Sequence, residues 1–241
     1  MSEARLYGVG VGPGAPDLLT LRAVTVLRDA AVIAAPRRST EDASLALGIA
    51  REAVGERDGQ ETLHLTFPMS RDPAVRRDAR EAAARAVAER LGRGLSVAFV
   101  TEGDPLVYST FLDLLAEAPR AFPGVRIEVV PGISSITAVA AAACVPLADG
   151  DGKLAVLPAL VALEGLAELA REFETLLLLK AGRVLPALRA ALEREGLLSR
   201  AVLVCDATTG RERVVRDLAG FEDRPGYFST VVVYRAPETR P

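Results

Sequence analysis

Short apolar runs alternate with amphipathic segments along this chain, and the alternation restricts the fold more than any other feature. Predicted buried strands lie at residues 6–11, 31–35, 62–65, 95–100 and 126–130. Predicted helices lie at residues 18–27, with Asp17 as the N-cap, and at 43–54, 72–91, 112–118 and 134–143. Short apolar runs indicate strands, whereas apolar residues three and four positions apart indicate helices. Because strands that alternate with helices form a mainly parallel, helix-covered sheet, the sequence predicts an α/β fold.

The second half of the chain ends differently from the first. Residues 146–152, Pro-Leu-Ala-Asp-Gly-Asp-Gly, predict a linker. Beyond it the sequence predicts strands at 154–157 and 176–180, helices at 163–172 and 185–195, and final strands at 202–205, 212–217 and 228–234. The first two final strands are expected to form a hairpin through Thr208-Thr209-Gly210-Arg211. We predict two α/β domains, residues 1–147 and 153–241, with a mainly parallel first sheet, a mixed second sheet and a ligand cleft between them.

Three predicted strands end in turns that are rich in Gly and Pro. These turns are Gly8-Val9-Gly10-Val11-Gly12-Pro13-Gly14, Glu102-Gly103-Asp104-Pro105 and Pro131-Gly132-Ile133-Ser134-Ser135. An open α/β sheet binds its ligand at the carboxyl ends of its strands, and Gly lets a ligand approach the backbone. Asp104 adds an anionic acceptor that suits a ligand with hydroxyl groups and a positive charge. A purely local interpretation stays open as well, since Asp before Pro starts helices and Ser caps them.

The first turn also fits a dinucleotide-binding fingerprint. Gly10-x-Gly12-x-x-Ala15 has the required spacing, but Pro13 and Pro16 interrupt the place where a phosphate-binding helix should begin. The second strand ends without an acidic residue for a ribose, whereas Arg37 and Arg38 follow it and could bind a 2′-phosphate. An NADP-dependent oxidoreductase is therefore an alternative, and a plain tight turn without a ligand is another.

Composition and charge exclude several classes of partner. The net charge of −3 and a pI near 5.4 argue against a nucleic-acid-binding protein. No apolar run reaches the roughly 18 residues of a membrane-spanning helix. Residues 1–5 lead directly into the first predicted strand, so we expect no signal peptide and a cytoplasmic location. Cys144 and Cys205 both lie in apolar surroundings and are expected to be buried thiols.

The groups that most hydrolases and metalloenzymes need are missing from this sequence. His64 is the single histidine and is expected to be structural, and no Cys, His and Asp residues have the spacing of metal ligands. No Gly-x-Ser-x-Gly motif accompanies it, so a Ser-His-Asp triad is not expected. We therefore expect no metal site and a reaction whose reactivity resides in a cofactor.

The three Gly- and Pro-rich turns, in this order, resemble the motifs of the tetrapyrrole methylases. The first motif extends from Gly8 through Gly12-Pro13-Gly14 to Pro16-Asp17-Leu18-Leu19-Thr20. One branch, the precorrin-2/cobalt-factor II C20-methyltransferases of cobalamin synthesis, is also similar in Phe67-Pro68-Met69-Ser70-Arg71-Asp72, Tyr108-Ser109-Thr110-Phe111 and Lys153-Leu154-Ala155-Val156-Leu157-Pro158-Ala159. The resemblance covers nearly the whole chain. It implies the two-domain fold of these enzymes and S-adenosylmethionine (SAM) as the methyl donor.

The family's ligand contacts can be transferred to this sequence where the motifs match. Expected SAM contacts are Pro13, Glu102, Gly103, Asp104, Val107, Tyr108, Ser134 and Ser135, with Lys180, Ala207 and Thr208 placed less closely. Expected contacts with the tetrapyrrole are Tyr7, Gly10 and Met69, with Arg37, Arg38 and Arg71 as candidate partners of its carboxylates.

The resemblance also implies a mechanism and an assembly. Methyl transfer from the SAM sulfonium to an electron-rich meso carbon, C20, needs alignment of the reactants and no catalytic nucleophile. A homodimer is expected from the family, and the mean hydropathy of +0.24 is consistent with it. Methylases of the same fold that act on another corrinoid position, on rRNA or on a protein are the alternatives. The metal-free and the cobalt-containing macrocycle are both candidate substrates, since the cobalt travels in the substrate.

Overall fold

The computed structural model describes residues 4–234 and divides into two compact units, Met1–Ser134 and Ser135–Pro241. Each unit is built on one five-stranded sheet. The α/β class and the two sheet types are confirmed. None of the helices within the described residues is long and apolar enough to cross a membrane.

The first unit is a parallel sheet with helices on both faces. Its strands are β1 (Arg5–Gly10), β2 (Val32–Arg37), β3 (Glu61–Thr66), β4 (Val97–Thr101) and β5 (Arg126–Val130). Its helices are α1 (Leu21–Asp29), α2 (Leu45–Val54), α3 (Pro73–Gly92) and α4 (Phe111–Ala121), and a single 3₁₀ turn spans Pro16–Leu18. The strand order is β3-β2-β4-β1-β5, with every pair parallel.

Two hydrophobic layers hold this first sheet. Phe99 on β4 packs with Phe111 on α4 on one face, where their ring centroids lie 5.6 Å apart. On the opposite face Val100 belongs to the layer that covers α1 and α2. All five residues of β4 are buried, as expected for the central strand of a sheet that is covered on both faces.

The second unit has a mixed sheet. Its helices are α5 (Ser135–Ala143), α6 (Ala159–Ala162), α7 (Leu166–Glu172) and α8 (Leu185–Arg194). Its strands are β6 (Leu154–Pro158), β7 (Thr175–Leu179), β8 (Ala201–Cys205), β9 (Arg213–Val215) and β10 (Ser229–Tyr234), in the order β6-β7-β10-β8-β9. β10 is antiparallel to both of its neighbours, and β8 and β9 form the predicted hairpin.

The compact units divide before α5, earlier than the predicted linker at residues 146–152. Ala138 and Val139 of α5 are buried in one cluster with Val202 and Val204 of β8. The helix therefore packs on the second sheet, although the sequence analysis assigned it to the first domain. A small-residue helix with apolar side chains on most of its surface does not itself indicate which sheet it covers.

Three local predictions were wrong. Asp17 lies in the 3₁₀ turn, and the N-cap of α1 is Thr20, whose hydroxyl accepts the Ala23 N–H at 3.1 Å. The helix predicted at 163–172 begins three residues later, as α7 at Leu166, and the short helix α6 at 159–162 was not predicted. Cys144 is exposed, whereas Cys205 is buried as predicted.

Candidate functional site

Three turns meet at the carboxyl edge of the first sheet. β1 lies between β4 and β5, and all three strands run in the same direction, so the turns that follow them are neighbours. The Val11 N–H donates to the Thr101 carbonyl at 3.0 Å, and the Gly103 N–H donates to the Gly12 carbonyl at 2.7 Å. These bonds extend the pairing of β1 with β4 into their turns.

One glycine from each turn lies at the point where the three turns touch. A Cβ on Gly10 would lie 2.5 Å from the Gly103 carbonyl oxygen and 2.6 Å from the Gly132 nitrogen. A Cβ on Gly132 would overlap the same carbonyl oxygen. Gly103 also has a φ of +67°, which favours glycine. Any side chain here would push the turns apart, so this Gly10–Gly103–Gly132 contact, named the glycine junction below, requires glycine.

Asp104 fixes two of these turns to each other. Its Oδ1 accepts the Leu106 N–H at 2.9 Å, and its Oδ2 accepts the Gly132 N–H at 3.1 Å. Asp104 is not the N-cap of α4, which begins at Phe111 after Thr110, so the local capping interpretation of this Asp is wrong. The carboxylate instead holds the turn after β5 against the turn after β4.

The rest of the second turn is attached to β4 through Ser109. The Ser109 hydroxyl donates to the Thr101 Oγ1 at 2.9 Å and accepts the Phe111 N–H at 3.0 Å. Tyr108, directly before Ser109, has a φ of +52° and a half-exposed side chain. The turn is thus held at both ends, while Leu106 and Tyr108, each about half exposed, form its surface.

The corresponding edge of the second sheet carries the remaining predicted SAM contacts. Lys180 follows β7, and Ala207 and Thr208 follow β8. The start of β10 lies at the same edge because β10 runs in the opposite direction, and the Asp206 N–H donates to the Phe228 carbonyl at 2.8 Å. The Lys180 Nζ lies 5.6 Å from the ring centroid of Tyr227, within the range of a cation–π contact.

Backbone strain concentrates at these two edges. Within the described residues, five residues other than glycine have a positive φ: Tyr108, Cys144, Lys180, Asp206 and Thr208. Apart from Cys144, each of them follows the carboxyl end of a strand. Such conformations cost about 1–3 kcal/mol each and cluster where a ligand site depends on them. Three of the four belong to the predicted SAM contacts, and Asp206 adjoins Ala207.

Exposed apolar side chains concentrate at the same edges. Among residues 4–234 the exposed large hydrophobic residues are Leu21, Leu45, Met69, Val75, Leu106, Tyr108 and Leu112 in the first unit and Leu160, Val161 and Phe228 in the second. Each of them lies in a turn after a strand, in the first turn of the following helix, or directly before β10. An apolar surface left open at one edge of a sheet marks a place for a ligand or a partner.

Comparisons with known proteins agree with this geometry. Residues 5–220 match the sequence profile of the family described as Tetrapyrrole (Corrin/Porphyrin) Methylases. This chain belongs to that family. It is 35% identical over 233 residues to the cobalt-precorrin-2 C(20)-methyltransferase of Salmonella typhimurium, with 96% of each chain covered. It is also 35% identical to the precorrin-2 C(20)-methyltransferase of Sinorhizobium sp, covering 95% of this chain and 94% of that protein.

A solved structure of this family contains a ligand related to SAM. The uroporphyrin-III C-methyl transferase of Thermus thermophilus complexed with S-adenyl homocysteine is 25% identical, with a TM-score of 0.64. The similarity covers 95% of this chain and 97% of that chain. The tetrapyrrole methylase fold therefore extends over nearly the whole chain.

Membership of the methylase family excludes the prediction that the first turn binds a dinucleotide, and the structure of the turn gives the physical reason. In a dinucleotide-binding fold a helix begins within the Gly-rich turn and points its N-terminus at the pyrophosphate. Here Pro16–Leu18 forms a 3₁₀ turn and α1 begins only at Leu21. No α-helix N-terminus is present where the fingerprint requires one.

The predicted tetrapyrrole contacts of this methylase lie in four places. Gly10 belongs to the glycine junction, whereas Tyr7 lies inside β1 and packs against the layer of α1 and α2. Arg37 ends β2 and Arg38 follows it. Met69 and Arg71 are exposed between β3 and α3. The arginines and Met69 therefore lie along the same carboxyl edge of the sheet as the three turns, and Tyr7 does not.

Further residues at these edges were not among the predicted contacts. Asp206 and the Tyr227-Phe228 pair lie at the edge of the second sheet beside the predicted contacts, and their signals in the sequence are an acidic residue after a strand and an aromatic pair before one. The described residues contain no group of three or more His, Cys, Asp and Glu that could hold a metal ion. His64 is an exposed residue of β3. The part of the imidazole that is covered, together with the charges of nearby Arg37 and Arg51, lowers its pKa.

Proposed function

We propose that this tetrapyrrole methylase transfers a methyl group from SAM to C20 of precorrin-2 or of its cobalt-containing counterpart. The observation that carries the proposal is the glycine junction, which lies at the ends of three adjacent strands in a chain that aligns along 96% of its length with a C20-methyltransferase. Relatives named for the cobalt form and for the metal-free form are equally similar, at 35% identity, so both macrocycles are tested below.

Residues of both units are proposed to bind SAM. In the first unit these are Pro13, Glu102, Gly103, Asp104, Val107, Tyr108 and Ser134. In the second unit they are Ser135, Lys180, Ala207 and Thr208. The chemistry of these residues fits the cofactor. Carboxylates suit its ammonium group and ribose hydroxyls, tightly packed glycines let it approach the backbone, and exposed apolar side chains such as Leu106 suit its adenine.

The residues of this site act by binding and alignment. SAM supplies a methyl group on a sulfonium, which is electrophilic without help from the protein. The three turns are fixed to each other by the glycine junction and by Asp104, so they hold one geometry before the ligand arrives. Pre-organised alignment of two reactants can account for several orders of magnitude in rate. We therefore assign no catalytic nucleophile or general base to this chain.

The C20 position is tested by locating the new methyl group. The protein is incubated with SAM labelled with ¹³C in its methyl group and with precorrin-2 or cobalt-factor II, and the product is examined by carbon NMR. Label at C20 alone is the expected result. Label at another ring carbon would assign the chain to a different branch of the family. Absence of label in both macrocycles would refute the corrinoid function and direct the search to RNA and protein substrates.

We also propose that the protein is a homodimer. The exposed apolar residues support this, since the Leu21 side chain is 87% exposed and Leu160 and Val161 are each 60% exposed. Light scattering at micromolar concentration is expected to give twice the mass of the 25.4 kDa chain. A mass near that of one chain would contradict the dimer and leave the methyl transfer proposal untouched.

A further inference from the structure

The end of β2 is next to the turns that are proposed to bind SAM. In the order β3-β2-β4-β1-β5, β2 borders β4 on the side away from β1. Strands are about 4.8 Å apart, so the ends of β2 and β1 are separated by about 10 Å. The ends of β2 and β3 are therefore within reach of a tetrapyrrole whose reacting carbon faces the three turns.

Arg37, the last residue of β2, has an incomplete set of hydrogen bonds. Its Nη1 donates to the Thr40 carbonyl at 2.9 Å, which fixes one corner of the guanidinium. Its Nε is buried, and no atom of the described residues accepts a hydrogen bond from it. A carboxylate binds a guanidinium through two parallel N–H groups, and the edge formed by Nε and Nη2 offers such a pair.

Two further residues lie near Arg37 at this corner of the sheet, His64 and Arg51, and the Arg51 Nη1 is also paired with the Glu56 Oε1 at 3.1 Å. Arg37 pairs with Thr66, and Ala35 pairs with His64, so the Arg37 and His64 side chains lie on the same face of the sheet. Arg51 of α2 covers that face and donates to the Thr62 Oγ1 at 3.0 Å. Partial burial lowers the pKa of His64 most, and the nearby charges of Arg37 and Arg51 lower it further.

Apolar surface borders the same corner. Leu45 begins α2 and is 42% exposed, and Met69 in the turn after β3 is 56% exposed. Residues 38–43, which follow Arg37 and lead to α2, are all exposed, so a shift of this segment would uncover the Nε edge of Arg37 without disturbing the core. An apolar surface beside a guanidinium matches a pyrrole ring that carries an acidic side chain.

We propose that Arg37, supported by Arg51 and His64, forms a subsite that binds one carboxylate of the tetrapyrrole at the carboxyl ends of β2 and β3. The proposal rests on the proposed function for the identity of the ligand, but the anion site is defined by this chain's own residues. It selects Arg37 among the three candidate arginines because Arg37 is fixed by Thr40 and has a donor without an acceptor. Arg38 and Arg71 are exposed residues outside the strand.

The first experiment compares Arg37→Ala, Arg37→Lys and the control Arg28→Ala. Arg28 is an exposed residue in the last turn of α1, at the opposite edge of the sheet. With cobalt-factor II, Arg37→Ala is expected to raise KM at least about tenfold and leave the Kd of S-adenosylhomocysteine unchanged. Arg37→Lys keeps the charge without the two-donor edge, so an intermediate KM is expected, and Arg28→Ala should match the parent. An unchanged KM in Arg37→Ala would overturn the proposal.

The second experiment needs no turnover and uses the single histidine as a probe. In protein freed of any histidine tag, the imidazole NMR signals of His64 need no assignment. Citrate at constant ionic strength is expected to raise the pKa of His64, because an anion bound beside the imidazole stabilises its charged form. The rise should disappear in Arg37→Ala. A pKa of His64 that does not respond to millimolar citrate in the parent protein would overturn the subsite.

The two experiments separate this proposal from the proposed function. If the parent protein methylates neither macrocycle while citrate still raises the pKa of His64 through Arg37, the corrinoid function fails and the anion subsite stands. If methyl transfer to C20 occurs and Arg37→Ala changes neither KM nor the response to citrate, the function stands and the subsite is refuted.

Discussion

The Asp104 side chain holds the main chain of Gly132, with its Oδ2 accepting the Gly132 N–H at 3.1 Å across 28 positions of sequence. The other oxygen of the same carboxylate accepts the Leu106 N–H at 2.9 Å within its own turn. Each oxygen retains a lone pair that a ligand could use. Asp104 is therefore a positioning residue for the proposed SAM site, in addition to being a candidate ligand contact.

Replacement of Asp104 should weaken SAM binding because the turn after β5 loses its attachment. Asp104→Ala is expected to raise the Kd of S-adenosylhomocysteine at least about tenfold, or 1.4 kcal/mol, as measured by calorimetry. Asp104→Asn keeps one acceptor oxygen, so a smaller loss is expected. Asp58→Ala, at an exposed turn on the opposite edge of the sheet, is the control. An unchanged Kd in folded Asp104→Ala would show that the attachment does not shape the site.

A side chain at Gly10 should disrupt the glycine junction. The added Cβ of Gly10→Ala would lie 2.5 Å from the Gly103 carbonyl oxygen, and neither turn can move without breaking the pairing of β1 with β4. We expect a loss of about 1–3 kcal/mol in the free energy of unfolding in urea and loss of S-adenosylhomocysteine binding. Gly48→Ala, in α2 with open space around the new methyl group, should be neutral or stabilising by up to about 1 kcal/mol. Equal stability of the two variants would contradict this account.

Most of the fold follows from local patterns in the sequence. β5 has the predicted bounds, 126–130, because Gly124 and Pro131 delimit its apolar run. The errors arise where two local signals compete. Asp17 beside Pro16 is as good an N-cap signal as Thr20 before Leu21, and only the packing of the 3₁₀ turn decides between them. Which sheet α5 covers depends on tertiary contacts that its composition does not encode.

The site was less predictable than the fold. The sequence indicates three Gly- and Pro-rich turns, but not that β1 lies between β4 and β5, and that order brings Gly10, Gly103 and Gly132 into contact. The role of Asp104 depends on the same order, because its partner Gly132 follows a different strand. Strand order is set by long-range packing. A local sequence pattern can therefore locate each turn, but it cannot predict which turns contact each other.

The two cysteines should differ sharply in reactivity. Cys144 is exposed, whereas Cys205 is buried in β8 and burial raises the pKa of its thiol. Since the thiolate is the reactive form, we expect N-ethylmaleimide to label one site in the native protein and the second only in denaturant, as read by mass spectrometry. Cys144→Ser should remove the native labelling. Rapid modification of Cys205 in the native protein would mean that the end of β8 opens readily.

The single histidine should make folding stability depend on pH in a defined direction. Burial, with Arg37 and Arg51, lowers the pKa of His64 in the folded protein below its ordinary value of 6.5. Well above pH 6.5 the imidazole is neutral in the folded and the unfolded protein, so its contribution to the free energy of unfolding does not change with pH. As the pH falls through 6.5, the unfolded chain takes up the proton first and the folded state loses stability. In urea titrations between pH 8 and pH 5, His64→Gln is therefore expected to lose less stability than the parent, by a modest amount because the side chain is exposed. The Arg51→Ala variant should move in the same direction, because it removes one of the charges that disfavours the imidazolium. Parallel stability curves for the parent and His64→Gln would show that the pKa of His64 is not lowered in the folded protein.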